Sequence, residues 1–398
     1  MIRVLHAIDV YLRVSENWIY PQIHCDSEVS SAVLCRNVEN LDQFPLRKVP
    51  MFLDPPRWSE SLGIPRLINS LAFRAGHSSL VAAVAVRRWK PDLIHAHFGM
   101  HGWSLLPLKQ RLRIPMITSF YGIDAWALPE RNALWHDRYR ELFESGESFI
   151  VEGPAMGDRL KAIGCAASKI HTVHIGIDLS ALPLSPRKLN AVPRVLMLGR
   201  FTEKKGLIDG LRACVEARRR GGDFLVTIVG DAVSGDKTSA SIKAELHKIA
   251  ASPELNNRVC FAGSVSVAKS RALMREHDIF LCPSKHARDG DAEGGSPVSL
   301  TEAMALGLHC IGTRHCDIPE VIRHGETGLL ATSGDIQALA ALLAEAIENL
   351  EETRMREHGR KHIEERFSAS AQREAFQKIY SVLIARVANR TRASSFVR

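Results

Sequence analysis

Short runs of apolar and β-branched residues alternate along the chain with longer segments whose apolar positions recur at helical spacing. Such alternation is typical of parallel sheets whose strands are connected by helices. A first series of predicted strands, with a helical pattern at 78–89 among them, lies at residues 2–8, 92–97, 116–120, 148–151 and 170–175. A second series lies at residues 194–198, 224–229, 258–262, 279–282 and 308–312. The pattern predicts an α/β protein with two doubly wound, Rossmann-like domains.

A proline-rich segment separates the two series. Residues 179–193, LSALPLSPRKLNAVP, contain three prolines and no regular pattern, which is typical of a linker. We therefore predict an N-terminal domain at 1–182, a linker at 183–193 and a C-terminal domain at 194–370. Residues 371–398 are predicted to form a helix and basic tail that pack back on the N-terminal domain. Because doubly wound sheets bind ligands beyond the carboxyl ends of their strands, we expect the site in a cleft between the domains.

The composition is that of an ordinary globular protein, with 398 residues of which 45% are apolar and 24% charged. A net charge of +8 is compatible with nucleic acid, an anionic membrane surface or a phosphorylated substrate as a partner. The cations are dispersed and form no tract interleaved with aromatic residues, which disfavours nucleic acid. The basic C-terminal tail predicts only weak attraction to anionic lipid, at ~1 kcal/mol per basic residue.

Two features bear on the cellular compartment. No run of 18 apolar residues occurs, and Asp9 and Arg13 interrupt the first apolar segment, which favours a buried strand over a secretory signal. We therefore expect a cytoplasmic protein that makes at most peripheral contact with the inner face of the membrane. The cysteines form no CxxC pair, and we predict reduced, buried thiols. These residues are Cys25, Cys35, Cys165, Cys214, Cys260, Cys282, Cys310 and Cys316.

Two cations, Arg200 and Lys205, follow the predicted strand 194–198 in the segment VLMLGRFTEKKG. Residues just beyond the carboxyl end of a parallel strand line ligand sites, so this pair can clamp one diphosphate. Fixed cations there would stabilise the charge that develops on a nucleoside diphosphate as it leaves. On its own, however, a strand followed by two basic residues is more often a solvated turn.

A second motif, EGGSPVSLTEAMALG, begins at residue 293. The residues that precede its predicted helix are Gly294, Gly295, Ser296 and Pro297. Unpaired N–H groups at the N-terminus of that helix would form a phosphate seat. Glu293 can accept hydrogen bonds from sugar hydroxyls, and Glu302, inside the helix, can bind a ribose. The alternative is that the two glutamates are an ordinary loop carboxylate and a charge that stabilises the start of the helix.

Together these residues resemble the paired-glutamate motif of the family 4 retaining glycosyltransferases, and the similarity covers most of residues 194–330. The resemblance implies a GT-B fold and a nucleotide diphosphate sugar as the donor. It assigns Arg200 and Lys205 to the donor phosphates. It also implies that Glu293 and the amides after it bind the transferred sugar and that Glu302 binds the ribose.

One further detail supports that resemblance and another departs from it. Gly230 and Asp231 resemble the turn that follows the family's next strand, which puts Asp231 among the donor-binding residues. The two glutamates enclose eight residues here, whereas the family usually has seven. Because the additional residue lies in the EGGSP stretch, Asp291 is an alternative to Glu293 at the sugar.

Polar residues also end strands of the first domain. His95 and His97 alternate along a predicted strand and therefore share one face. Two such histidines could begin a metal site, but no third ligand at a suitable spacing is evident. We therefore predict that they form hydrogen bonds and hold no metal, with His97 near the acceptor or sugar.

The segment SFYGIDAW resembles the Phe-His-Gly-x-Asp motif of the same family, with Tyr121 at the histidine position. Because a free phenol has a pKa of about 10, Tyr121 is predicted to position a sugar hydroxyl or the acceptor and not to remove a proton. Asp124 either accepts a hydrogen bond from the acceptor or caps the following segment. Ser15 and Glu16 resemble a variant found in bacterial exopolysaccharide-type members, in which Ser15 either caps the next helix or lies near the donor.

The predicted groups bind phosphates and hydroxyls, and no carboxylate pair suggests the two-step route of many glycosidases. We therefore expect front-face transfer with retention, in which the donor phosphate accepts the acceptor's proton. Because two cations already face the diphosphate, we expect no metal and no other cofactor. The acceptor is predicted to be a carbohydrate or a lipid-linked sugar in polysaccharide or glycolipid biosynthesis.

Other functions remain as alternatives. A nucleotide-sugar epimerase and a phosphorylase can share this two-domain fold, and fold alone does not separate them from a transferase. A basic nucleic-acid-binding protein is the alternative from a different class. A dehydrogenase is disfavoured because no GxGxxG follows the first strand.

Overall fold

The computed structural model describes residues 1–24, 28–54, 80–184 and 188–395. The predictions for Cys25, for residues 78–79 of the helical pattern, for 185–187 of the linker and for 396–398 of the tail lie outside the described residues. The chain divides into two compact units. The first comprises Met1–Gly176 and Ala369–Arg398, and the second comprises Ile177–Ser368.

The first unit is built on a parallel sheet. In chain order its strands are β1 (Ile2–Ala7), β2 (Val10–Tyr11), β3 (Val29–Cys35), β4 (Asn37–Val38), β5 (Met51–Leu53), β6 (Leu93–His97), β7 (Met116–Ser119), β8 (Ser148–Val151) and β9 (Ile170–Thr172). Seven of them form the sheet in the order β5-β3-β1-β6-β7-β8-β9, while β2 and β4 pair with each other. Its described helices are Tyr20–Ile23, Leu80–Trp89, Gly99–Ser104, Leu106–Leu112, Ala127–Arg131, Leu134–Ser145, Pro154–Ala162 and Ala369–Ser395.

The second unit repeats this architecture. Its strands are β10 (Arg194–Leu198), β11 (Leu225–Val229), β12 (Val259–Gly263), β13 (Ile279–Cys282), β14 (His309–Thr313) and β15 (Leu329–Ala331). They form one parallel sheet in the order β12-β11-β10-β13-β14-β15. Its described helices are Leu207–Arg219, Lys237–Ala250, Val267–Glu276, Val298–Ala305, Ile318–Val321, Ile336–Glu348 and Arg354–Arg366. In both sheets the strand order runs outwards from the first strand of the unit, so the predicted doubly wound fold class is confirmed.

Burial explains why these runs become parallel strands. Strand β13, with the sequence IFLC, is buried along its whole length, as expected of a strand covered by helices on both faces. Along β10, Val195 and Met197 pack into one core whereas Leu196 packs into another, because successive side chains point to opposite faces. Strands β3, β5 and β15 were not predicted. In β3 two serines interrupt the apolar run, and β5 and β15 are each only three residues long.

The limits of the units differ from the predicted ones. The side chain of Leu182 is completely buried in a core of the second unit. Asn190, from the predicted linker, donates its side-chain amide to Asp278 in the same unit at 2.9 Å. The segment before β10 is therefore part of the second unit, although its prolines prevent regular structure.

The long C-terminal helix belongs to the first unit. Its side chains Phe376, Tyr380 and Leu383 are buried in one cluster with Val4 and Ile117 of that unit's sheet. The hydroxyl of Tyr380 also lies 2.8 Å from Nδ1 of the buried His95. Apolar burial and the contact between Tyr380 and His95 thus hold the helix on this sheet.

The described cysteines are all free, in agreement with the predicted reduced thiols. Their predicted burial is wrong at two positions, because Cys260 is exposed and Cys316 is only partly buried. Cys260 lies on β12, the edge strand of the second sheet, where one side lacks a neighbouring strand. Among the described helices, none combines the length and the apolar character needed to cross a bilayer.

The packing of the C-terminal helix predicts a difference between two adjacent positions. Leu383 is 3% exposed and Val382 is 50% exposed. Leu383→Ala should lower the free energy of unfolding of the first unit by roughly 2–5 kcal/mol, because it leaves a cavity, whereas Val382→Ala should have little effect. All six tryptophans lie within residues 1–176, so urea unfolding followed by tryptophan fluorescence reports on this unit. Equal losses for both variants would contradict the packing described.

Candidate active site

Loops at the carboxyl ends of β10, β11 and β13 come into close contact in the second unit. Gly206 has a φ of +62°, and a Cβ there would lie 1.8 Å from the carbonyl oxygen of Pro283. Gly230 has a φ of +134°, and a Cβ there would lie 1.9 Å from the carbonyl oxygen of Gly199. Only glycine fits either position. The loops that carry the predicted cations and carboxylates are therefore held against one another.

Lys205 and Glu293 form the central ion pair of this site. The Lys205 ammonium lies 2.8 Å from one Glu293 oxygen, and the Ser284 hydroxyl donates to the other at 2.7 Å. The Glu293 side chain is 6% exposed and that of Lys205 is 18% exposed. Burial raises the pKa of Glu293, but the charges of Lys205 and Lys204 and the hydrogen bonds from Lys205 and Ser284 outweigh it and lower the pKa to about 2. Glu293 is therefore ionised at neutral pH.

The neighbouring Lys204 anchors the same loop and was not predicted. Its ammonium donates to Asp291 at 3.1 Å and to the carbonyl of Ala292 at 3.0 Å. Asp291 is thus paired with Lys204, whereas Glu293 is paired with Lys205. The additional residue of the EGGSP stretch therefore lies in a loop that two consecutive lysines hold at two points.

Arg200 differs from both lysines because it is exposed and, within the described part of the chain, its guanidinium forms no hydrogen bond or ion pair. Gly294 and Gly295 are buried just before the helix Val298–Ala305, and no side chain caps that helix at Pro297. The Ser296 hydroxyl is buried and has no partner among the described residues. An unpaired cation and an uncapped helix N-terminus are the groups that bind an anion.

Glu302 is buried inside that helix and pairs with Arg271 of the helix Val267–Glu276. Two guanidinium nitrogens of Arg271 donate to the same Glu302 oxygen, at 3.0 and 2.6 Å. Arg271 was not predicted, since nothing in its spacing from Glu302 marks it. Asp231 is less buried, and its carboxylate accepts from Lys243 at 2.7 Å and from the amide of Ala232 at 2.7 Å.

The structure brings a third histidine to His95 and His97. His6 of β1 is the register partner of His95 on β6, so all three rings lie on one face of the sheet. Their ligand atoms lie within 4.8 Å of one another, which by number and type could hold a metal ion. The spacing of residues along the sequence did not indicate His6 as a third potential ligand. The pairing of β1 with β6 was the missing information.

Each of these histidines is completely buried and hydrogen-bonded. Burial lowers the pKa of His6 to about 3 and holds the pKa values of His95 and His97 well below the ordinary range. All three rings are therefore neutral at physiological pH. The nitrogens of His95 lie 2.8 Å from the Tyr380 hydroxyl and 2.7 Å from the Ser119 hydroxyl.

Tyr121 lies next to this cluster. Its oxygen is 2.8 Å from Nδ1 of His97, and its hydroxyl donates to Gln22 at 3.4 Å. Burial raises the pKa of Tyr121 above that of a free phenol, so the hydroxyl keeps its proton at neutral pH. Tyr121 can therefore donate a hydrogen bond but is a poor base.

Asp124 accepts hydrogen bonds that hold the local backbone, whereas Ser15 caps no helix. The completely buried Asp124 carboxylate accepts from the amides of Gly99 and Tyr121 at 2.8 and 3.0 Å, which caps the helix Gly99–Ser104 and fixes the Tyr121 turn. Burial raises the pKa of Asp124 to about 6, although these hydrogen bonds oppose the shift. Ser15 is exposed within the 3₁₀ helix Val14–Ile19 and caps neither this helix nor the one at Tyr20–Ile23, so the predicted cap is wrong.

Two Rossmann-like units in one chain are the architecture of the GT-B class. The model described as Glycosyltransferase Family 4 matches residues 33–181, and the model described as Glycosyl transferases group 1 matches residues 185–362. The chain is 40% identical over 316 residues to the N-acetyl-alpha-D-glucosaminyl L-malate synthase of Bacillus anthracis, covering 76% of this chain and 77% of the synthase. The chain belongs to glycosyltransferase family 4.

Two further proteins are similar to it. The amylovoran biosynthesis glycosyltransferase AmsK of Erwinia amylovora is 36% identical over 272 residues, which cover 66% of this chain but only 64% of AmsK. The structure of HepE from Anabaena in complex with UDP superposes with a TM-score of 0.74 at 18% identity, covering 96% of this chain and all of HepE. The likeness to HepE shows the GT-B fold.

The buried pair at Glu293 predicts a pH-dependent contribution to stability. Because the folded-state pKa of about 2 lies below the ordinary 4.5, the ionised carboxylate should contribute about 3 kcal/mol above pH 4.5 and lose this as the pH falls towards 2. Glu293→Gln should therefore destabilise the second unit at pH 7, and the difference from the wild type should shrink below pH 4.5. The second unit contains no tryptophan, so its unfolding leaves tryptophan fluorescence unchanged. Calorimetry of that transition measures the difference in stability between the variant and the wild type.

Glu245→Gln is the control, since its ion pair with Arg212 is much more exposed, at 32% for Glu245 and 49% for Arg212. This variant should change the free energy of unfolding by less than about 1 kcal/mol. A Glu293→Gln variant no less stable than this control at pH 7 would show that the buried pair contributes nothing.

Proposed function

We propose that this chain is a retaining glycosyltransferase. It transfers a sugar from a nucleotide diphosphate sugar to a hydroxyl of a carbohydrate or lipid-linked acceptor, in polysaccharide or glycolipid biosynthesis. One observation carries the proposal. Beyond the carboxyl ends of the second sheet's strands lie the unpaired guanidinium of Arg200, the Lys205–Glu293 pair and an uncapped helix N-terminus. These are groups that can bind a sugar diphosphate.

The proposed role of the cations is to bind the leaving diphosphate. As the bond between sugar and phosphate breaks, negative charge accumulates on the phosphate oxygens, and fixed positive groups stabilise that state more than the ground state. Arg200 offers a guanidinium with no competing partner among the described residues. The Lys205 ammonium donates to Glu293, and its other N–H groups can donate to a phosphate. The backbone N–H groups at the start of the helix Val298–Ala305 add further donors.

The carboxylates are proposed to bind the uncharged parts of the donor. Glu293 is ionised and each of its oxygens has a further lone pair, so it can accept from sugar hydroxyls while Lys205 and Ser284 hold it. Asp291 is a poorer candidate because Lys204 already engages it. Glu302 is proposed to bind the ribose with the oxygen that Arg271 does not use.

The relatives suggest which substrates to test first. The structure of HepE is a complex with UDP, and AmsK is named for amylovoran biosynthesis. We therefore favour a UDP-sugar donor and an exopolysaccharide product. A weak contact of the basic C-terminal residues with an anionic membrane surface would bring the enzyme to a lipid-linked acceptor.

No divalent metal is proposed at the donor site. Arg200, Lys205 and the helix N-terminus can neutralise the diphosphate. Over the described ranges, no cluster of carboxylates that could hold Mg²⁺ occurs, and the one group of potential ligands consists of His6, His95 and His97 in the first unit. Histidine nitrogens suit transition metals better than Mg²⁺.

The test is product analysis after a thermal-shift comparison of UDP-, GDP- and ADP-sugars. With the stabilising donor and a panel of alkyl glycosides, the chain should release nucleoside diphosphate and lengthen an acceptor. NMR should show the donor's anomeric configuration in the new bond, and EDTA should leave the rate unchanged. An inverted product, or a rate abolished by EDTA and restored by Mg²⁺, would contradict the mechanism. Isomerised donor without transfer would indicate an epimerase, and release of sugar phosphate would indicate a phosphorylase.

A further inference from the structure

A chain of hydrogen bonds runs from Tyr121 into the interior of the first unit. The Tyr121 oxygen lies 2.8 Å from Nδ1 of His97, and Nε2 of His97 lies 3.1 Å from Nδ1 of His6. The His97 and Tyr121 rings are nearly parallel, at 15°. His6 and His97 are completely buried, whereas Tyr121 is partly exposed, so only this end of the chain can reach a substrate.

Neutral imidazoles allow only two arrangements of protons along this chain. Each ring has one N–H and one lone pair, so the single proton of His97 decides the direction. In the inward arrangement Tyr121 donates to His97, and His97 donates to His6. In the outward arrangement His6 donates from Nδ1 to His97, His97 donates from Nδ1 to the Tyr121 oxygen, and the Tyr121 proton is left for another acceptor.

The inner end of the chain favours the outward arrangement. Nε2 of His6 is buried without a hydrogen-bond partner among the described residues. The inward arrangement would put a proton on this nitrogen and leave a buried N–H unpaired, which is rare in folded proteins. The outward arrangement leaves only a lone pair there. It also accounts for the donation from Tyr121 to Gln22, which is long at 3.4 Å and can be exchanged for a substrate oxygen.

We propose that His6 and His97 are positioning residues that fix Tyr121 as a hydrogen-bond donor to the substrate. This inference rests on the proposed function, because it assigns the Tyr121 proton to a sugar or acceptor oxygen. His97 holds the phenol oxygen by donating to it, and a hydroxyl that accepts a hydrogen bond becomes a stronger donor. His6 supports this by keeping the His97 proton on Nδ1.

A metal site is the competing use of the same histidines. An ion between His6 and His97 would replace the hydrogen bond between them, and an ion at His95 would displace Ser119 or Tyr380, which already occupy its two nitrogens. The hydrogen bonds therefore favour the proton chain, and metal analysis is part of the test.

The first experiment reads the protons directly and needs no turnover. Long-range ¹H–¹⁵N spectra of protein labelled with ¹⁵N-histidine, assigned through single histidine variants, distinguish the two tautomers. We expect the proton on Nδ1 in both His6 and His97. A proton on Nε2 of His97, or stoichiometric zinc in the purified wild type that is lost in His6→Leu, would overturn the proposal.

The second experiment measures coupling in the transfer reaction. His6→Leu removes the donor to His97 and should lower kcat about tenfold, the loss expected for one hydrogen bond, with little change in KM. His6→Asn places an amide N–H near the position of Nδ1 and should restore most of kcat. His6→Leu should add nothing to the loss caused by Tyr121→Phe, because both act through the same hydroxyl.

His277→Asn is the matched control, since His277 is likewise buried and hydrogen-bonded but lies in the second unit, outside this chain of hydrogen bonds. The fold-loss in kcat that this control variant causes should multiply with the fold-loss caused by Tyr121→Phe. If His6→Leu also multiplies with Tyr121→Phe, the coupling is absent and the proposal is wrong. If no donor is turned over at all, the proposed function fails, while the tautomer spectra still decide the direction of the proton chain.

Discussion

The buried ion pair between Lys205 and Glu293 fixes the geometry of the second unit's site. Removing either partner of such a pair leaves an uncompensated charge, which typically costs 3–5 kcal/mol, so the pair links the loop after β10 to the loop after β13. Lys204, the preceding residue, makes a second link to the same loop through Asp291. Lys205 keeps N–H groups that Glu293 does not use, so it stays available to an anion together with Arg200 and the N-terminus of the helix Val298–Ala305.

The two units use polar groups in different ways. The second unit buries charges in pairs, at Lys205 with Glu293 and at Arg271 with Glu302. The histidines and Tyr121 of the first unit are neutral instead, because desolvation keeps His6, His95 and His97 unprotonated and keeps the proton on Tyr121. Charge suits the stabilisation of a leaving diphosphate, whereas neutral donors suit the orientation of hydroxyls. Lys205 and Glu293 lie in loops that follow parallel strands, Arg271 and Glu302 lie in helices, and the three histidines lie on strands.

The sequence was informative where function depends on residues close together in the chain. Strand periodicity predicted both sheets, and the spacing of Glu293 and Glu302 around a glycine pair predicted the main motif. Contacts between distant residues were missed, because His6 and His97 are 91 residues apart and Lys204 and Asp291 are 87 apart. Such pairs depend on which strands become neighbours, and a single sequence does not reveal this. The predicted cap at Ser15 is wrong for a local reason, since its segment forms a 3₁₀ helix in which the serine is internal.

The central claim is that Arg200, Lys205 and the helix N-terminus bind one diphosphate. Isothermal titration of UDP, GDP and ADP, each with its nucleoside, into the wild type, Arg200→Ala and the surface control Arg212→Ala tests it most directly. We expect one nucleoside diphosphate to bind more tightly than its nucleoside, and Arg200→Ala to weaken it about 10- to 100-fold while leaving the nucleoside and the control unaffected. Wild-type affinity for the diphosphate in Arg200→Ala would contradict the account.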